Sequence, residues 1–311
     1  MSLADLPPAA RARMEAQRAS GVAGSLLSAP ATAALRGAGL TAAGEVFGCI
    51  AMNVGWTGST GCGGYGGLGQ GGGWTGSGFG QTWVSPVLTT EGGGWSAFGA
   101  YVRAVESAWH GAVRRMLLEA AQLGAEGVVG VRVTRTHLTG SAWEFAALGT
   151  AVRVIDASLV GHDPERRVWA ADLTAEDVAA AIHSGRRPGG MAFGLAVSTK
   201  HEDALLRMQR TSWTGTEVEG LTEVLHASRS AARNRITASA GRHGGGTLVI
   251  SGMSTREFET ACGDKETDVH AETAVQGTVL VPSPRAAFRT TDRPGTANVL
   301  SVLPVSDRRR L

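Results

Sequence analysis

Cys262, Asp264, Glu266, Asp268, His270 and Glu272 stand at two-residue intervals. In an extended chain, residues at that spacing project from one face. Thiolate, imidazole and carboxylate donors together suit zinc or a similar divalent ion. Neighbours on one strand face lie about 6–7 Å apart, so an ion held by two of them needs a third ligand from a partner strand. Cys262, Asp264, Asp268 and His270 are therefore the candidate metal ligands. An acidic hairpin held in water is the plainer reading of the same residues.

Tryptophan supplies the second pattern. Trp56-Thr57-Gly58-Ser59 recurs as Trp74-Thr75-Gly76-Ser77 and is echoed by Trp213-Thr214-Gly215-Thr216. Aromatics on glycine-rich or polar stretches either pack on one another or meet a partner. Trp56, Trp74, Trp95 and Trp213 are the candidate interface residues.

Enzymatic signatures are lacking. Gly61, Gly63 and Gly66 fit a GxGxxG register, but no helix pattern follows them and no GK[ST] is present, so phosphate binding is disfavoured. No GxSxG elbow occurs, and His201-Glu202 lacks the second histidine of a zinc-protease helix. Cys49 reads as a small buried hydrophobe within a strand. These residues predict a protein that is not an enzyme and needs no cofactor beyond an optional divalent metal.

The elements that would position such residues are legible. Val102, Val105, Trp109, Ala112, Met116 and Ala120 recur at three- and four-residue steps, with charged residues between them, the pattern of a helix with one buried stripe. Gly124 and Gly127 end it, and Val128, Val129, Val131 and Val133 begin a strand. A second strand follows over 145–155.

This helix-strand-strand order occurs twice. Leu27, Phe47 and Gly48 match Leu173, Phe193 and Gly194 at an offset of 146 residues, whereas Ala112, Met116 and Val128 match Ala232, Ile236 and Leu248 at 120. The drop locates an insertion of about 26 residues in the first unit, the glycine- and tryptophan-rich stretch near 56–95. Gly149 matches Gly277 at 128, so the second unit has a hairpin longer by about eight residues. The expected organisation is a helical lead over 1–24, β-α-β-β units over 25–155 and 171–285, and a C-terminal arm or tail over 286–311. The fold class is α+β, each unit a small, mostly antiparallel sheet covered by one long helix.

The junction AAQLGAEGVVGVRV and the strand FAALGTAVRV, echoed by PGGMAFGLAV and AVQGTVLV, resemble the YbjQ-like family, named for heavy-metal binding. The resemblance covers both units, more strongly the first. It implies a small α+β subunit that assembles into pentameric rings.

With 311 residues and a net charge of +2, no global field recruits nucleic acid or an anionic membrane. Arg229, Arg233, Arg235 and Arg242, with the terminal Arg308-Arg309-Arg310, are the contacts a nucleic-acid partner would use, a lower alternative. Three cysteines without CxxC spacing predict a reducing, cytoplasmic setting. The leading expectation is a homo-oligomer, fivefold or pseudo-fivefold, forming a ring or shell. A metal-binding or metal-responsive protein is the alternative.

Overall fold

The computed structural model describes residues 6–20, 24–54, 85–90, 98–155, 168–244, 246–262 and 266–283. The stretch carrying Trp56, Trp74 and Trp95, most of the glycine-rich segment and the tail after 283 lie outside these residues. In chain order the elements are α1 (Pro8–Ser20), α2 (Ala29–Gly37), β1 (Leu40–Asn53), β2 (Leu88–Thr89), α3 (Gly99–Gln122), β3 (Gly127–His137), β4 (Ala142–Val154), β5 (Trp169–Ala170), α4 (Ala175–His183), β6 (Arg186–His201), α5 (Ala204–Arg210), α6 (Glu219–Gly241), β7 (Thr247–Cys262) and β8 (Glu266–Pro282).

The strands form two four-stranded sheets, ordered β1-β4-β3-β5 and β2-β6-β8-β7. Within each, the three long strands are antiparallel, and β5 alone joins its neighbour in parallel. The class is α+β, built as two β-α-β-β units.

Local chemistry explains why the same elements form twice. Ser28 caps α2 and Thr174 caps α4 through their side-chain oxygens, satisfying otherwise orphaned helix amides. Gly39 and Gly185 then turn the chain into the first long strand at φ values of +81° and +79°, a conformation that costs other residues a steric clash. Leu26 N–H donates to Thr150 Oγ1 at 3.1 Å, and Asp172 N–H donates to Thr278 Oγ1 at the same distance. Each hydrogen bond ties the lead-in of a short helix to the last strand of its unit.

The long helices lie flat on their sheets. α3 buries Val102, Val105, Ala112 and Met116, and α6 buries Val224, Ala232, Ile236 and Ala240. The N-terminal α1 joins α3 through a small cluster of Leu6, Met14 and Leu118. Arg13 also pairs with the buried Glu119, which accepts the Phe47 N–H at 2.8 Å. That bond satisfies a backbone donor of β1, an edge strand among the described residues.

The largest core crosses from one unit to the other. It joins Val46, Phe145 and Ala147 of the first sheet, the α3 stripe, and Phe193, Leu195 and Val197 of the second sheet. Trp109 stacks on Phe193 with centroids 5.0 Å apart and planes 10° from parallel. Glu106 on α3 receives both Nε and Nη2 of Arg235 on α6, at 3.0 and 2.8 Å. The layers thus run first sheet, α3, second sheet, α6, with α3 covered on both sides.

Candidate functional site

Where the two units meet beside α3, a cavity of about 380 Å³ opens between the helix-facing side of the first sheet and the side of the second sheet that turns away from α6. One wall is apolar: Val105, Trp109, Phe145, Phe193 and Leu195. The other carries a compact polar cluster. Strand alternation places Arg135 beside Phe145 in cross-strand register and places Arg256 directly opposite Glu272. Tyr101 arrives from the first turn of α3.

Glu272 is the hub, with a side chain only 6% exposed. Its Oε1 lies 3.1 Å from Arg135 Nη2, its Oε2 lies 2.9 Å from Arg256 Nη2, and it accepts the Tyr101 hydroxyl. Both guanidiniums also donate to the Tyr101 oxygen, at 3.2 and 3.0 Å. Burial, reinforced by the Glu272 charge and hydrogen bond, pushes the Tyr101 phenol up to about 12, so at neutral pH it stays protonated and donates. The planar guanidiniums are further held over Trp143 and Phe258, 4.8 and 5.3 Å from the ring centres. The arrangement is a rigid, positively biased polar wall facing an apolar one.

A second depression, about 570 Å³, is lined by Ser85, Lys200, Glu223 and His226 among others. Its cation is already matched, because Lys200 Nζ sits 3.0 Å from Glu223 and 2.7 Å from the Ser85 carbonyl.

The metal-candidate residues divide. β7 ends at Cys262 and β8 begins at Glu266, so the chain reverses where a single extended ladder was expected. Cys262 pairs with Glu266, four residues and about 13 Å along the strand from His270. Asp264 lies outside the described residues, and only the backbone of Cys262 is described. Asp268 is buried and paired with His201 Nδ1 at 2.8 Å. His270 is fully buried, with Nδ1 2.9 Å from Thr199 Oγ1 and Nε2 2.8 Å from Thr260 Oγ1, and its ring packs against both Phe98 and Phe258, which also touch each other. Burial lowers its pKa to about 4. Glu272 belongs to the arginine cluster. Among the described residues no three His, Cys, Asp or Glu side chains converge as a metal group would require.

Trp213, the one described member of the interface set, is fully exposed after α5. Cys49 departs from expectation: it is partly exposed, although its repeat counterpart Leu195 is completely buried. The reason is tertiary, since α3 covers the second sheet at Leu195, whereas among the described residues Cys49 borders only a depression lined by Ala10 and Arg13 of α1. Tyr101, Arg135 and Arg256 were not legible as site residues. They come from three elements, and no local spacing links them.

The fold and cavity define an α+β protein of two stacked β-α-β-β units with a charged cleft at their junction. Residues 74–155 match the YbjQ family model, described as "Putative heavy-metal-binding". Three curated relatives match. An encapsulin nanocompartment protein of Mycobacterium tuberculosis is 29% identical over 174 residues, covering 52% of this chain and 66% of its own. A UPF0145 protein of Mycobacteroides abscessus is 35% identical over 22% of this chain and 64% of its own, and one of Vibrio campbellii is 38% identical over 18% and 53%. The chain thus spans between about half and just under two thirds of the length of these relatives. No solved structure matches. No helix among the described residues is long and apolar enough to cross a membrane.

Proposed function

We propose that this chain is a non-enzymatic, self-assembling protein in which two tandem YbjQ-like units stack head to tail and continue the same stacking from chain to chain. One observation carries the reading. The face of the second sheet that bears Phe193, Leu195 and Val197 is covered by α3, whereas the equivalent face of the first sheet, bearing Phe47, Cys49, Ala146 and Leu148, is left partly exposed. On the other side, Tyr101, Val105 and Trp109 of α3 meet the second sheet, while their counterparts on α6, Leu221, Leu225 and Arg229, remain partly exposed. The unused face and the unused helix stripe are the two halves of a contact already made once inside the chain. A head-to-tail contact of this kind is heterologous and closes into a ring when its rotation permits.

The resemblance favours fivefold or pseudo-fivefold closure, with five chains contributing ten units as one ring or two stacked pentagons, in the cytoplasm. The encapsulin nanocompartment name of the mycobacterial relative supports membership in a larger shell-like assembly. The metal-binding alternative rests on the family description and draws no support from the donor set. The nucleic-acid reading is weakened because Arg235 is spent on Glu106.

Light scattering at micromolar concentration tests the proposal. The expected mass is a multiple of 32.0 kDa, and Leu148→Arg or Leu225→Arg, each placing a charge on one of the two complementary faces, reduces it to the single chain. A wild-type mass of one chain overturns the reading.

A further inference from the structure

The cavity beside α3 lies within one chain and is independent of assembly. Among its described lining residues Glu272 is the only carboxylate, and it faces two guanidiniums, so the described cluster carries one positive charge in excess. Arg256 uses only Nη2 in its contacts with Glu272 and Tyr101, which leaves donors free on a side chain 48% exposed. Opposite, Trp109 is 4% exposed, and its Nε1 has no hydrogen-bond partner among the described residues. A buried indole N–H without an acceptor is costly and uncommon. The space between is bounded by aromatic and aliphatic side chains and lies within the ordinary size range of small-molecule sites.

We infer that this cavity binds a small organic carboxylate with a flat apolar body, its anion held by Arg256 and Arg135 and its ring against Phe193. Several chemical features converge on that class. The net positive charge selects an anion, and the fork of a guanidinium matches a carboxylate. The apolar wall rejects a fully hydrated ion such as acetate, which has nothing to bury there. A purely structural role for the cluster accounts for Glu272 bridging two strands and a helix, but it leaves the excess charge unexplained.

Calorimetric titration of the full-length chain with naphthoate, with neutral naphthylmethanol and with acetate separates these readings. Naphthoate is expected to bind in a single-site isotherm and to perturb tryptophan fluorescence, while acetate gives no signal and naphthylmethanol binds about tenfold more weakly or worse. Arg256→Gln should erase the preference for naphthoate over naphthylmethanol, and Arg256→Lys should restore part of it. Ser254→Trp, which fills the cavity from β7, should abolish binding of both aromatic probes, with circular dichroism verifying that each variant is folded. Equal affinity for naphthoate and naphthylmethanol, or no binding of naphthoate at all, would overturn the inference.

Discussion

Gly48 and Gly194 stand in the same relation to two different helices. A Cβ on Gly48 would lie 2.2 Å from the Ala112 carbonyl oxygen of α3, and one on Gly194 would lie 2.5 Å from the Ala232 carbonyl oxygen of α6. Helix backbone cannot yield as a side-chain tip can. Gly48→Ala and Gly194→Ala should each therefore lose about 1–3 kcal/mol in urea unfolding. Gly37→Ala, where nothing lies within 4 Å, is the control and should be neutral. Unchanged midpoints for both strand variants would contradict this packing.

The Trp109–Phe193 stack joins the units, and Phe193 is only 7% exposed. Phe193→Ala should cost about 3–5 kcal/mol, the usual range for emptying an aromatic site. Phe47→Ala, at the repeat-equivalent but partly exposed position, should instead lower the native mass seen by light scattering. Equal unfolding penalties for the two, with no change in mass, would argue against covered and uncovered versions of one face.

His270 sets a pH dependence whose sign follows from its environment. Burial holds the imidazole neutral in the folded chain, with a pKa of about 4 instead of 6.5. As pH falls through that window the unfolded chain takes up a proton that the folded one refuses, so stability declines from about pH 6.5 to about pH 4. The span corresponds to roughly 3 kcal/mol at most. His243, also lowered by burial, acts in the same sense, whereas burial raises the Asp172 carboxyl and works against it. His270→Gln should flatten the wild-type slope in this window. Parallel curves for the two proteins would refute the assignment.

Zinc supplies a fourth test. With Asp268 held by His201 and both His270 nitrogens against threonine hydroxyls, zinc should bind the wild type no more tightly than His270→Gln or Asp268→Asn. A clear loss of affinity in either variant would restore the buried face of β8 as a metal site.

Trp213 is fully exposed, and Trp213→Ser should change unfolding stability by no more than about 0.5 kcal/mol. If this indole contacts a second copy, the same substitution lowers the native mass at dilute concentration. An unchanged mass removes it from the interface.

Much of the fold was legible because it depends on short-range chemistry. The three- and four-residue apolar steps of 102–120 specify α3 without reference to anything distant, and Gly124 at φ +64° closes it. The offsets of 146 and 120 reappear as Gly48 and Gly194 under their helices, and the Ser28 and Thr174 caps reappear at α2 and α4. The two-residue spacing from Glu266 to Glu272 is kept along β8, whereas Cys262 ends β7, because spacing by itself says nothing of where a strand reverses. The turn between Cys262 and Glu266 divides the ladder between β7 and β8.

What the sequence by itself determined is therefore the pair of units: periodicity, glycine placement and capping act over a few residues and leave a readable trace. What only the tertiary structure decided is how the units use their faces. Phe47 and Phe193 have equivalent local contexts, yet one is buried against α3 and the other is partly exposed, because burial depends on which surface a neighbour covers. The cluster of Tyr101, Arg135, Arg256 and Glu272 is of the same kind. Its members are brought together from α3, β3, β7 and β8 across as many as 171 residues of chain, and charges that meet only on folding leave no spacing in the sequence.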